Sequence, residues 1–171
     1  MPIILPVRGI APQFGDHCWL ADNATVTGDV VCGEECTFWF QSVVRGDVNK
    51  IRLGKRVNVQ DGAIVHCTYQ KTETTIGENV SIGHRAIVHG CTVGNNVLIG
   101  MGAIVMDRAV IPDRVLIAAG AVVTEGKQLE SGWIYAGTPA RKLKPLSEAQ
   151  LNGEIARIAA AYVKYAGWYV T

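Results

Sequence analysis

The sequence predicts an all-β solenoid: a parallel coil of six-residue units with one α-helix packed alongside. Three observations carry this reading. Aliphatic residues recur at a period of six through most of the chain. A small or branched residue follows four positions after most of them. Composition agrees, with 49% hydrophobic residues and 19 glycines in 171 residues, the mixture expected of many short strands joined by tight turns.

The elements follow in order. The opening MPIILPVRG has a short apolar patch but neither a basic leader nor a small-residue cleavage site, so no signal peptide is expected. The coil, over about 10–140, starts with Leu20, Val26, Cys32, Phe38 and Val44 as leading residues. Ala24, Val30, Cys36, Ser42 and Val48 stand four positions on. Leu53, Val59 and Val65 continue the series, with Val57 and Ala63; Ile76, Ile82 and Val88 follow, with Val80 and Ala86. The last run is Val93, Ile99, Val105, Ile111, Ile117, Val123 and Leu129. Period six does not match the 3.6 of a helix; it suits a short strand plus a corner, the leading residue pointing inward. Three such strands per turn make a triangular parallel coil. Cys32 and Cys36 fall on inward positions and read as core. Arg141-Lys142-Leu143-Lys144 reads as a solvated linker. Ser147 with Gln150 opens a helix over about 147–165. Its apolar stripe is Leu151, Ile155, Ile158 and Tyr162. The chain reads as one domain, 1–171. Because an open coil end exposes strand edges, a cap or a partner is expected.

Charge and thiols narrow the function classes. A net charge of +1 gives no reason to expect nucleic acid or an anionic membrane surface. No apolar run approaches the ~18 residues of a membrane span. Five cysteines, an odd number without a secretion signal, point to free thiols in a reducing cytoplasm.

The repeat breaks three times: nine residues separate Val44 from Leu53, eleven separate Val65 from Ile76, and five separate Val88 from Val93. Insertions in a solenoid usually become loops on one face, often the functional one. Counting three units per turn puts Val44, Val65 and Val88 on successive rungs. The residues just after them, Arg45, His66 and His89, therefore form one column. Rungs about 4.8 Å apart let two imidazoles meet one metal ion. His84 lies on a neighbouring face, stacked over Asp61. The simplest geometry takes two ligands from one chain and His84 from another copy, which a cyclic trimer closes.

Arg45-Gly46-Asp47, Asn58-Val59-Gln60-Asp61-Gly62, His66, Gly83-His84 and His89-Gly90-Cys91 together resemble the gamma-class carbonic anhydrase family. The resemblance covers nearly the whole chain. It implies a left-handed β-helix, where the general crossover rule alone would give a right-handed one. It further implies a homotrimer with zinc, or iron or cobalt, bound by His66, His89 and the next subunit's counterpart of His84. The implied reaction is reversible hydration of CO2 to bicarbonate by hydroxide generated at the metal. Gln60 and Asn58 match the family's amides beside that hydroxide, and Arg45 and Asp47 its interface pair. Asp61 would orient a histidine through its second ring nitrogen. Tyr162 matches a family tyrosine reaching toward the site. One departure stands out: the loop that supplies a glutamate proton shuttle in archaeal members is short here, with Glu73 its single acid. That implies slow turnover. Three other readings stay open, namely a hexapeptide-repeat acyltransferase, a metal-dependent thioester hydrolase and a non-catalytic assembly subunit. Metal content separates the first from the gamma-class readings, and turnover separates an enzyme from a scaffold.

Overall fold

Three inward columns run the length of the chain and build its core. One contains Val26, Val44, Val65, Val88, Val105 and Val123, each in parallel register with the next. The second contains Cys32, Leu53, Ile76, Val93 and Ile111. The third runs Leu20, Phe38, Val59, Ile82, Ile99, Ile117 and Tyr135. Between Val26 and Val123 nearly all of these side chains are cut off from solvent. A computed structural model, describing residues 1–170, shows the result: a left-handed parallel β-helix of about seven turns with one C-terminal helical segment along its side. Pairing begins at Ile3–Leu5, which lies parallel to the strand Thr25–Cys32.

The corners explain the small residues. The residue before the inward corner position repeatedly has a positive φ: Glu35 before Cys36, Arg56 before Val57, Asn79 before Val80, Asn96 before Val97 and Arg114 before Val115. A second set holds Gly62, Arg85, Gly102 and Gly120, each before a buried alanine. The chain turns a corner through a left-handed residue, and the next side chain drops into the lumen, where most slots hold Ala, Val or Cys. Asn and Gly take this backbone easily; the arginines there carry its strain.

The three breaks have distinct forms. The nine-residue spacing is an irregularity within one long strand, Val43–Leu53, rather than a loop. Its pairing with Thr25–Cys32 jumps from Gly28–Gly46 to Val30–Ile51. Ile51, fully buried, therefore fills the corner slot expected for Val48, which is half-buried against the edge of the core. The eleven-residue spacing is a true loop, tied by Thr72 N–H to Thr68 C=O. The five-residue spacing turns at Gly90, φ 56°.

Past the coil, Trp133–Ala136 continues the third column and pairs antiparallel with Arg141–Pro145. The basic run is thus a strand, not a linker; its backbone covers a sheet edge while its side chains stay in water. Lys142 lies over the Trp133 ring, 4.2 Å from its centre. Ser147 and Gln150 form the expected capping box. The helical run passes through a wide turn at Leu151–Ala156 and then Arg157–Ala166, and ends in the turn Gly167–Tyr169. The wide turn rotates the stripe, so Ile155, Ala159 and Ala166 are the buried residues, with Leu151, Ile158 and Tyr162 half-buried. No helix among the described residues is long and apolar enough to cross a membrane.

Candidate metal centre

Register places the histidines. His66 ends the strand Ile64–His66 and His89 ends Ile87–His89, and the two residues are direct parallel neighbours. Arg45 stands one rung before them, since Val44 pairs with Val65. The counted column is therefore present in the fold.

The rings of His66 and His89 face each other. His66 Nδ1 lies 3.1 Å from His89 Nε2. The outer nitrogen of each ring meets a carboxylate: His66 Nε2 is 3.2 Å from Asp47 Oδ1, and His89 Nδ1 is 2.9 Å from Asp107 Oδ1. An outer N–H bound this way fixes the tautomer and leaves the inner nitrogen as a lone-pair donor. Burial, reinforced by the charge of Arg45, lowers the pKa of His66 and favours its neutral form.

Both carboxylates are held as anions. Burial works against Asp47, but hydrogen bonds from Arg45 and His66 outweigh it and keep its carboxyl below the usual range. Burial likewise opposes Asp107, and donation from His89, Thr72 and Thr68 wins. Gly90 makes room for this cluster. A Cβ there would lie 1.7 Å from Asp107 Oδ1 and 2.3 Å from Thr72 Oγ1.

His84 is elsewhere. Its Nδ1 is 2.9 Å from Asp61 Oδ2, the partner that the stacking count gives it. Its Nε2 lies 3.4 Å from the Tyr162 hydroxyl, whose pKa burial and the charge of Asp61 push up to about 12. Among the described residues, His66, His84 and His89 of one chain do not gather within 4.8 Å. Next to His84, Gln60 donates its amide to Asn58 Oδ1 at 2.9 Å, and Asn58 donates to Ser81 Oγ at 2.8 Å. Both amides are nearly inaccessible. Gln60, His84 and Tyr162 bound one end of a cleft of about 400 Å³ between the coil and the helix. Glu73 pairs with Lys50 at 2.9 Å.

Comparison with known proteins gives this geometry its setting. The bacterial transferase hexapeptide (six repeats) family matches residues 73–105 and 90–125. Protein YrdA of Escherichia coli is 39% identical, over 98% of this chain and 94% of its own length. A carbonic anhydrase of Geobacillus kaustophilus is 40% identical over 98% and 91%. Gamma carbonic anhydrase 1 of Arabidopsis thaliana mitochondria is 38% identical over 82% of this chain, which spans about half of that longer protein. The chain belongs to the gamma-class carbonic anhydrase family. A hexapeptide transferase family protein from Anaplasma phagocytophilum has the same fold, with TM-score 0.92, 39% identity and 98% coverage of both chains.

Membership in the gamma class implies a metal cofactor, and the donors suit one. Two nitrogens bound at about 2.0–2.1 Å in tetrahedral geometry stand roughly 3.3 Å apart, close to the 3.1 Å between His66 and His89. One chain offers two converging imidazoles, one fewer than a three-histidine centre needs. Asp107 was not among the residues read from sequence. One further step of the same count, from Val88 to Val105, sets Asp107 beside the His89 rung and would have found it.

Proposed function

We propose that the protein catalyses reversible hydration of CO2 to bicarbonate as a homotrimer, at a metal held by His66 and His89 of one subunit and His84 of the next. The observation carrying this is the convergence of His66 Nδ1 and His89 Nε2, with the outer nitrogen of each ring against a carboxylate. The third imidazole lies on another face of the same chain, so rotation of a second copy about a threefold axis is the simple way to supply it. Zinc is the proposed ion, with iron(II) or cobalt(II) as alternatives for the same donors. Bound there, such an ion makes a water acidic enough to lose its proton near neutral pH.

The chain's own residues then have separate tasks. Asp47, Asp107 and Asp61 hold the three imidazoles in one tautomer and orientation. Gln60 commits its amide N–H to Asn58, so its carbonyl oxygen is left to accept the proton of a reacting water. Asn58 and Ser81 keep that amide from rotating. Arg45, partly neutralised by Asp47, supplies positive charge for the bicarbonate anion and a contact across the interface. Tyr162 stays a neutral phenol and closes the helix side beside His84. Hydration releases one proton, which must reach solvent. Glu73, the single acid of the short loop, is paired with Lys50 at the surface, and slow turnover is expected.

The test is stopped-flow CO2 hydration by anaerobically purified protein loaded with zinc or iron. Activity in the wild type and its loss in His89→Ala are expected. Metal-replete protein without activity would overturn the anhydrase reading while leaving the centre in place. One observation favours a second reading. The cleft is walled by Leu98, Leu116, Ile158 and Ala161, and its volume far exceeds what CO2 needs. It suits the acyl chain of a thioester, cleaved by hydrolysis at the same centre; assay of the same preparation with short acyl thioesters separates the two.

A further inference from the structure

Three thiols meet at the N-terminal mouth of the coil. The register of Trp19 with Thr37 stacks Cys18 over Cys36, one rung apart. Cys32 comes in from the adjoining strand column, where Phe14 is its neighbour on the rung before. The three Sγ atoms lie within 4.8 Å of one another, and Cys18 Sγ is 3.9 Å from Cys32 Sγ. Cys32 and Cys36 are buried; Cys18 is half-buried. Trp19–Leu20 is the edge strand of its sheet, which leaves Cys18 on the solvent side of the cluster.

Core packing alone does not call for sulfur here. Farther along the same columns, the slot of Cys36 is filled by Val57, Val80, Val97 and Val115, and that of Cys32 by Leu53, Ile76, Val93 and Ile111. Aliphatic side chains serve on these later turns. On the first turns the corresponding positions carry thiols that touch. Each thiol has a backbone carbonyl in reach: Cys18 Sγ is 3.2 Å from Gly33 O, Cys36 Sγ 3.1 Å from Gly54 O and Cys32 Sγ 3.6 Å from Gln13 O.

The dimensions fit a metal ion. Three sulfurs bound at about 2.3 Å in a plane stand roughly 4.0 Å apart, against 3.9 Å for Cys18 and Cys32. All-thiolate donors select soft ions. A structural zinc site closes with four protein ligands, whereas three sulfurs and no imidazole or carboxylate make up this group. We propose that Cys18, Cys32 and Cys36 form a three-thiolate site for copper(I), separate from the histidine centre. Each ligating sulfur releases its proton to solvent, so affinity rises with pH. Cys18 is the way in, and bound copper ties the first two turns of the coil together.

The probe is copper(I) alone, delivered without oxygen to the reduced full-length chain in competition with a chromogenic copper(I) chelator. The wild type is expected to retain one copper per chain, as are His66→Ala and Cys67→Ser. Cys18→Ser is expected to retain none, with circular dichroism unchanged from the wild type. Equal retention by Cys18→Ser and wild type overturns the site. X-ray absorption on the copper-loaded wild type gives an answer that does not depend on any variant folding: three sulfur neighbours support the proposal, and nitrogen or oxygen neighbours overturn it.

Discussion

At the residue scale, Asp107 is the side chain outside the histidine set that would govern the proposed centre. It takes the outer nitrogen of His89 at 2.9 Å and is itself held by Thr68 and Thr72 at 3.0 and 2.9 Å. Without it, the His89 ring is free to turn and either nitrogen carries the proton, so the converging pair with His66 is lost part of the time. Losing a carboxylate behind a ligating histidine typically weakens metal binding about 10- to 100-fold. Asp107→Ala is expected to lower zinc affinity by that factor, read by competition with a chromogenic chelator. The urea midpoint should fall as well, because Thr68 and Thr72 lose their acceptor, so affinity is read on the folded variant. Unchanged zinc affinity would remove the orienting role. Asp61→Ala, which frees His84 in the same way, belongs to the same prediction.

At the scale of elements, the long strand Val43–Leu53 tests how the coil absorbs extra residues. Ile51 occupies an inward corner and is fully buried, while Val48 is half-buried against the edge of the core. Ile51→Ala is expected to cost about 2–5 kcal/mol, the usual range for emptying a sealed core site. Val48→Ala should cost under about 1 kcal/mol. Urea denaturation of both variants checks the order, and a reversed order would return the corner to Val48. The sequence could not separate them, because both are β-branched aliphatics inside an irregular spacing. Elsewhere counting worked well: the valine column, the His66–His89 neighbours and the His84–Asp61 stack all follow from register, which a period of six sets rung by rung. The run Arg141–Lys144 was hidden for a different reason. Its role is backbone pairing, and backbone hydrogen bonds leave no mark on side-chain polarity. The rotation of the helix stripe depends on one wide turn at Leu151–Ala156, for which no residue type is a signal.

At the scale of the whole molecule, the proposed function makes assembly part of the chemistry, because His84 is separated from the other two histidines. A shared centre predicts that neither His66→Ala nor His84→Ala holds the metal as a homogeneous trimer, since every interface lacks one ligand. Mixed trimers behave differently. Where a His84→Ala subunit contributes His66 and His89, and a His66→Ala subunit contributes His84, the interface is complete. Random assembly of equal amounts of two subunit types makes about one interface in four complete in a closed ring. Unfolding and refolding the two inactive variants together is therefore expected to restore about a quarter of the wild-type metal content and a matching share of activity. Refolding each alone should restore none. The mixing result is specific: a centre built within one chain would need all three histidines intact in the same subunit, and no mixture of these variants contains such a subunit. Failure of complementation in trimers of confirmed mass would move the third ligand off His84, while the His66–His89 pair and the carboxylates behind it would stand.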